Sequence, residues 1–368
     1  MLERWIERLG ENGTLAVGAL LIGLLFGFMA QRSRFCLRSA VIEFARNQMG
    51  GKLTVWLFAF ATAVGATQLL AWAGLFDAGN ARQIAARGSL SGAAVGGALF
   101  GVGMILARGC SSRLLVLAAQ GNLRSLLSGL VFAVTAQAAL TGALSPLRLA
   151  ISEWWTIEGG PPRDLIARTG IGHGGAVLFA GVWLLAAIVW ARRQRVPVWG
   201  WAGAIGVGLA IAAAWWFTYA VSTVAFDPHP IQALSFTGPS AELLNRVLFV
   251  SDKPLNFDLG LVPGVFLGSF LAALLFGELR LEGFQGGAGM PRYIVGAMCM
   301  GFGGMLAGGC AVGAGLSGAA VFTATAWVTL VAMWGAAAVT DRLVDQRPAG
   351  PLDQAVPGSR SFIAGSGI

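Results

Sequence analysis

The sequence predicts an all-α polytopic membrane protein with about nine transmembrane helices. Of its 368 residues, 11% are charged and 56% are apolar, whereas a typical soluble domain carries about 25% charged residues. The mean hydropathy is +0.72. This composition excludes a soluble globular enzyme, a disordered chain and a disulfide-rich secreted scaffold. The apolar runs are also continuous, unlike the short alternating strands of a membrane β-barrel.

Each predicted span is a charge-free window close to the roughly 20 residues that a helix needs to cross the hydrocarbon core. The windows are 13–30, 53–76, 88–107, 125–147, 169–191, 196–226, 259–277 and 293–340, the last long enough for two passes. Four shorter apolar stretches predict re-entrant helices that enter the membrane without crossing it, at 33–45, 110–120, 231–250 and 310–320.

The positive charge of the chain sits at the ends of these windows. A net charge of +8 would suggest a nucleic-acid partner in a soluble protein, but here it predicts contacts with membrane lipid headgroups and not with nucleic acid. The basic cluster Arg192, Arg193 and Arg195 predicts a cytoplasmic loop. The loop 148–168 then lies outside. No small-residue cleavage site follows the first window, so we expect a retained first helix.

The chain also repeats itself at an offset of 200 residues. VGGALFGVGMILARGC, which ends at Cys110, matches VGAMCMGFGGMLAGGC, which ends at Cys310, at eight of sixteen positions. A weaker match at an offset of 201 places Cys36 opposite Thr237. We therefore predict two pseudosymmetric halves related as an inverted repeat, 1–168 and 169–341, followed by a short polar tail at 342–368. Inverted repeats place the substrate near the midplane of the membrane, at broken helices.

The four cysteines are the main candidates for chemistry. Their spacing matches no zinc or iron–sulfur pattern, and the chain has only two histidines, so we predict neither a metal nor a cofactor. No serine–histidine–aspartate set or carboxylate pair stands out, so we predict that the protein is not an enzyme. For Cys299, inside AMCMG, we expect a packing role.

Cys36, Cys110 and Cys310 each follow an apolar window and precede a short helix-forming stretch. We expect each thiol at a break, near the positive end of a short helix, where unpaired backbone N–H groups attract an anion. Gly109 and Gly309 are expected to shape two of the breaks. Ser111 and Ser112 are expected to cap the helix after Cys110.

Arginines surround the two N-terminal thiols. Charges inside a span are costly and therefore suggest function, so these side chains are expected to draw an anion toward the path. The alternative is that they reach the lipid headgroups. Either way, they form one group in the sequence, Arg34, Arg38, Arg108 and Arg113.

The segments FGFMAQRSRFCLRSA, GVGMILARGCSSRLL, LSFTGPSA and GFGGMLAGGCAVGAGLSG resemble the YeeE/YedE family of bacterial inner-membrane proteins, which includes thiosulfate importers. The resemblance covers about 13–340. It implies a pseudosymmetric fold with a central constriction, in which Cys36, Cys110 and Cys310 pass the thiosulfate ion along. It also implies a multi-pass protein of the bacterial inner membrane and a small cytoplasmic partner, a TusA-like sulfurtransferase.

The predicted function is thus thiosulfate import through a narrow path of cysteine thiols. A neutral S–H group is a weak donor that binds the terminal sulfur of the ion without holding it. The candidate supporting residues are Gly109, Gly309, Ser111, Arg34, Arg108 and Thr237. Three alternatives stay open: transport of another sulfur or selenium species, a thiol-dependent membrane redox protein, and a scaffold whose partner does the chemistry.

Overall fold

The computed structural model describes residues 2–248, 254–284 and 289–346 of the chain. The helices in these ranges are α1 (Leu2–Ser33), α2 (Leu37–Ala45), α3 (Gly51–Trp72), α4 (Arg82–Ala85), α5 (Leu90–Leu106), α6 (Ser111–Ala119), α7 (Leu123–Leu140), α8 (Ser145–Glu153), α9 (Leu165–Thr169), α10 (Gly172–Arg193), α11 (Val198–Ser222), α12 (Thr237–Leu248), α13 (Phe257–Leu275), α14 (Met290–Leu306) and α15 (Ala324–Val344). A short antiparallel ribbon pairs β1 (Gly88–Ser89) with β2 (Thr156–Ile157).

The all-α polytopic membrane fold is confirmed. Within the described ranges, eight segments are long and apolar enough to cross a membrane: α1 with α2, α3, α5 with α6, α7, α10, α11, α13 and α15. A further apolar helix, α14, has 17 residues and packs against α5 and α7. Together these segments account for the predicted windows, including the two passes of 293–340.

The structure corrects the window 125–147, which is not one helix. The span α7 ends at Leu140, and the separate helix α8 starts at Ser145 with a proline in its first turn. Proline favours such a start because its fixed φ suits the first turn and its missing N–H is not needed there. Of the predicted short helices, 33–45 and 110–120 become α2 and α6. The stretch 310–320 contains the π-helix Gly313–Gly318.

The helices α5 and α14 cross through paired glycines. A Cβ on Gly96 would lie 2.6 Å from the carbonyl oxygen of Gly303, and a Cβ on Gly303 would lie 2.7 Å from that of Gly96. The same reciprocal approach joins Gly103 and Gly296, at 2.5 and 2.8 Å. Small residues let membrane helices approach this closely. In the repeat, position 96 is equivalent to 296 and position 103 to 303. The two copies of the motif therefore pack against each other through equivalent glycines.

The packing around this crossing also follows the repeat. In one motif, Gly101 of α5 packs on the carbonyl of Met333 in α15; in the other, Gly301 of α14 packs on that of Phe132 in α7. Likewise, the packing of α1 on α13 corresponds to the packing of α11 on α3. The packing of α6 on α7 corresponds to that of the π-helix on α15. These pairs support two related halves, while the boundaries 1–168 and 169–341 stay a prediction. The predicted tail begins inside α15, and residues 347–368 lie outside the described residues.

The two ends of α10 define two faces of the molecule. Its C-terminal end carries the basic cluster Arg192, Arg193 and Arg195, and we call this end the inner face. Its N-terminal end follows the loop 154–164, and we call this end the outer face. The helix α11 begins at the inner face directly after α10, and a Cβ on its Gly203 would meet Met29 and Ser33 at the end of α1. The end of α13 joins the same face because Arg32 pairs with Glu278. The end of α5 does so because Arg292, which donates to the Ile105 carbonyl, shares Asp345 with Arg38.

Candidate functional site

The three cysteine motifs share one backbone turn. At each, the helix ends with an N–H bonded to the carbonyl five residues earlier, a pattern that closes helices through a left-handed residue. The bonds are Phe35 N–H to Ala30 O at 3.1 Å, Gly109 N–H to Met104 O at 3.1 Å and Gly309 N–H to Gly304 O at 2.9 Å. The cysteine follows immediately, so each thiol lies where one helix has ended, as predicted.

The left-handed residue of this turn differs between the motifs. It is Gly308 before Cys310, with φ of 75°, but Arg34 before Cys36 and Arg108 before Cys110, with φ of 53° and 57°. Glycine adopts this conformation freely, whereas any residue with a Cβ is strained by about 1 kcal/mol. Two arginines therefore occupy positions that glycine would fill at lower cost.

The thiols of Cys36 and Cys110 lie together. Both residues are buried, and both immediately precede a helix, as the N-caps of α2 and α6. Their two side chains lie next to each other, and the cysteines are free thiols. The Cys110 sulfur also lies 3.4 Å from the hydroxyl of Ser112. The tertiary structure thus joins two thiols that are far apart in the sequence.

The prediction that Ser111 and Ser112 cap α6 is wrong. Cys110 has the extended backbone of an N-cap residue, φ −80° and ψ 167°, so both serines lie inside the first helical turn. From there a hydroxyl does not reach the free N–H groups in the geometry of a cap. The Ser111 hydroxyl is buried and has no hydrogen-bond partner among the described residues.

Cys310 has different neighbours. Its sulfur accepts the backbone N–H groups of Phe236, at 3.3 Å, and Gly313, at 3.4 Å. Thr237, the predicted counterpart of Cys36, begins α12 beside this contact, and its buried hydroxyl has no partner within the described part of the chain. A Cβ on Gly309 would lie 2.8 Å from the amide nitrogen of Ala314, so this glycine lets the turn close.

A cavity of about 500 Å³ leads from the outer face to this region. Its lining includes Ser235, Thr237, Gly308 and Gly309, which lie next to the Cys310 break. We call it the outer cavity, and its walls carry four arginines, Arg82, Arg87, Arg148 and Arg163, against two acids, Glu153 and Asp258. The excess of positive charge favours an anion in the cavity. These arginines were not predicted from the sequence, because three separate outer segments contribute them.

Arg163 holds the wall of the outer cavity together. Its guanidinium donates to the carbonyl oxygen of Ala86 and, at 2.8 Å, to the hydroxyl of Thr325 at the start of α15. The residue is 7% exposed, and burial lowers the pKa of its side chain to about 10. Arg163 therefore stays charged at neutral pH while it ties the β1 loop to α15.

No cluster of three or more histidine, cysteine or acidic side chains that could hold a metal occurs among residues 2–248, 254–284 and 289–346. Cys299, in α14, is partly exposed and lies apart from the three breaks in the sequence. The chemistry available at the site therefore consists of thiols, hydroxyls, backbone N–H groups and guanidiniums. These are groups that bind anions.

Comparison with known proteins agrees with this arrangement. The family described as sulphur transport matches residues 32–339. The thiosulfate transporter TsuA of Spirochaeta thermophila is 27% identical over 327 residues, which cover 85% of this chain and 94% of that protein. The thiosulfate transporter TsuA of Escherichia coli K12 is 26% identical over 354 residues, covering 87% and 92%. The chain therefore belongs to the sulphur transport family and is a multi-pass membrane transporter, not an enzyme.

Proposed function

We propose that this protein imports thiosulfate across the bacterial inner membrane, from the outer cavity past Cys310 and then past the Cys36–Cys110 pair. The observation that carries the proposal is the placement of all three thiols directly after a helix-ending turn, with an arginine-lined cavity on the outer side of one of them. The similarity to two thiosulfate transporters supports the choice of thiosulfate.

The outer cavity suits the first step. Thiosulfate carries two negative charges, and four guanidiniums on the cavity walls raise its local concentration by attraction. Directly after Gly309 of the cavity lining, the sulfur of Cys310 already accepts two N–H groups, so its own S–H proton remains free to donate to the ion. The unpartnered hydroxyl of Thr237, which also lines the cavity, offers a second donor.

The Cys36–Cys110 pair suits the later step. In a contact between two thiols, one S–H donates to the other sulfur, and the second proton is left for the ion. Thiols are weak donors, so each holds the ion only briefly. A series of weak sites is what a conducting path needs, because the ion must leave each site as readily as it enters.

At the cytoplasmic end of the path, we propose from the family resemblance that the imported ion passes to a small TusA-like sulfurtransferase. We also propose that arginines at the span ends contact lipid headgroups. Uptake of a different sulfur or selenium species is the alternative within the transport class. Competition of labelled thiosulfate uptake by sulfite, sulfate and selenite distinguishes these cargoes.

The test is uptake of labelled thiosulfate by the purified protein in liposomes. We expect Cys110→Ala and Cys310→Ala each to lower uptake at least about tenfold, since each removes a donor from the path. Cys299→Ala is the matched control, because this thiol lies outside the three breaks. Full uptake by both path variants would contradict the thiol mechanism, and no uptake by the wild type would contradict thiosulfate transport.

A further inference from the structure

The inner side of the Cys36–Cys110 pair carries charge that the proposed path leaves unexplained. We call Arg34, Arg38, Arg108 and Arg113 the inner arginine cluster. Arg38 and Arg113 act electrostatically on the Cys36 sulfur, and Arg113 acts on Cys110 as well. The cations also repel one another, Arg113 with Arg34 and Arg38 with Arg108. The cluster extends from exposed Arg34 and Arg108 to partly buried Arg38 and Arg113.

Most of this charge has no carboxylate partner. Arg38 shares Asp345 with Arg292, at 3.5 and 2.8 Å. Among the described residues, the other three members make no ion pair. The carboxylate that attracts Arg113 belongs to Glu278. This carboxylate already accepts hydrogen bonds from Gln31 and Arg32, at 2.6 and 3.1 Å.

Two details of the inner arginine cluster are unfavourable for folding. The Nη1 atom of Arg113 is buried and lacks any hydrogen-bond partner in the described part of the structure, and a buried unpaired guanidinium group is costly. Arg34 and Arg108 hold left-handed backbones that glycine would adopt without strain. The fold therefore carries costs at three positions of one cluster.

We propose that the inner arginine cluster is an anion-binding site, with Arg113 as the direct charge partner of a divalent sulfur oxyanion beside Cys36 and Cys110. The inference rests on the proposed function and adds an inner binding site to the path. Arg113 is the third residue of α6, so its guanidinium and the free N–H groups of the first turn are close to the same thiols. The buried Ser111 hydroxyl adds an unused donor nearby. Arg34 and Arg108 form the exposed rim toward the inner face.

The first test is equilibrium binding of labelled thiosulfate to the full-length protein in nanodiscs of neutral lipid. We expect Arg113→Gln to weaken binding about tenfold, the scale of one charge-assisted pair, and to reduce its salt dependence. Arg193→Gln, an exposed arginine at the inner face, is the matched control and should bind like the wild type. Equal affinity of all three proteins would overturn the site.

A second variant covers the case in which Arg113→Gln fails to fold. Arg108→Gly removes a charge and relieves strain, so we expect a melting temperature at or above that of the wild type together with weaker thiosulfate binding. Unchanged binding by this stable variant would contradict the site. Uptake by the wild type is measured in the same preparation, so a failure of thiosulfate transport itself is seen separately from a failure of the arginine cluster.

Two further measurements separate other uses of the same guanidinium. If Arg113 served a lipid phosphate, its replacement would change the stability gained from anionic lipid and leave thiosulfate binding intact, and the proposal would fall. If it served a Cys36 thiolate, the variant would alkylate far more slowly at Cys36 and still bind the ion, which would overturn the proposal too. We expect neither result.

Discussion

The two Gly-Cys breaks share a sequence motif and a turn, yet their surroundings are opposite in character. The break at Cys110 has an arginine at the left-handed position, a second thiol in contact and the regular helix α6 after it. The break at Cys310 has Gly308 at that position, backbone N–H donors on its sulfur and a fully buried π-helix after it. At the first break, the arginines belong to the motif itself. Near the second break, the arginines come from loops that are far away in the sequence.

This difference shows which part of a repeat is constrained by folding and which part is free to specialise. The turn and the glycine crossing of α5 and α14 occur in both halves, because both breaks need the same backbone path. The side chains that meet an ion differ between the halves. One repeated backbone motif thereby carries two unlike sets of side chains.

The largest expected effect comes from the shared part. Gly103→Leu places a side chain where a Cβ alone would lie 2.5 Å from the Gly296 carbonyl oxygen, and backbone cannot yield as a side chain can. We expect loss of the folded, monodisperse protein, a destabilisation of about 3 kcal/mol or more. Size-exclusion chromatography and thermal melting measure it. Gly335→Leu, on an exposed face with open space around it, should melt normally, and equal melting of both variants would contradict the crossing.

The next effect sharpens the contrast between the paired and the single thiol. Because Cys36 and Cys110 are in contact and free, we expect the oxidant diamide to join them as a disulfide and block uptake, and dithiothreitol to restore it. Peptide mass spectrometry should find the Cys36–Cys110 link. Whatever uptake a Cys36→Ser variant retains should not fall further with diamide, whereas a disulfide to Cys310 would contradict the arrangement. Turnover-linked formation of the disulfide without any oxidant would favour the redox alternative.

A moderate effect concerns the charge of the outer cavity. Burial holds the pKa of Arg163 at about 10, so uptake by the wild type should not change through this group below that pH. A lysine starts about two units lower than arginine, and the same burial would lower its pKa further toward neutrality. Uptake by Arg163→Lys should therefore fall as the pH rises above neutral, in a range where uptake by the wild type stays level. Arg87→Lys is exposed and serves as the control, with a flat profile expected; a flat profile for Arg163→Lys would refute the argument.

The smallest effect tests the left-handed position alone. Gly308 has φ of 75° and open space around its Cβ direction, so Gly308→Ala adds backbone strain and no clash. We expect a loss of about 1 kcal/mol, seen as a lower melting temperature. Gly335→Ala, in the interior of α15, should be neutral or slightly stabilising. Equal melting temperatures of the two alanine variants would contradict the argument that a left-handed residue with a Cβ is strained in this turn.

Much of this protein followed from its sequence, because the deciding physics is local. Long apolar windows must become spans, and the repeated Gly-Cys ending located both helix breaks from the residues alone. The placement of Cys36 and Cys110 at the starts of short helices was predicted correctly. The cap at Ser111 was predicted wrongly. A shift of one residue in the start of the helix decides which side chain occupies the N-cap position, and here it is Cys110.

Other features were decided only by the tertiary structure. The contact between Cys36 and Cys110, the reciprocal pairing of Gly96 with Gly303 and the gathering of four arginines around the outer cavity all join residues far apart in the chain. Periodicity and composition describe neighbours along the chain, whereas helix packing sets which distant segments meet. The composition of the chain therefore determined its membrane class, whereas the crossing of the two copies of one motif was decided by helix packing.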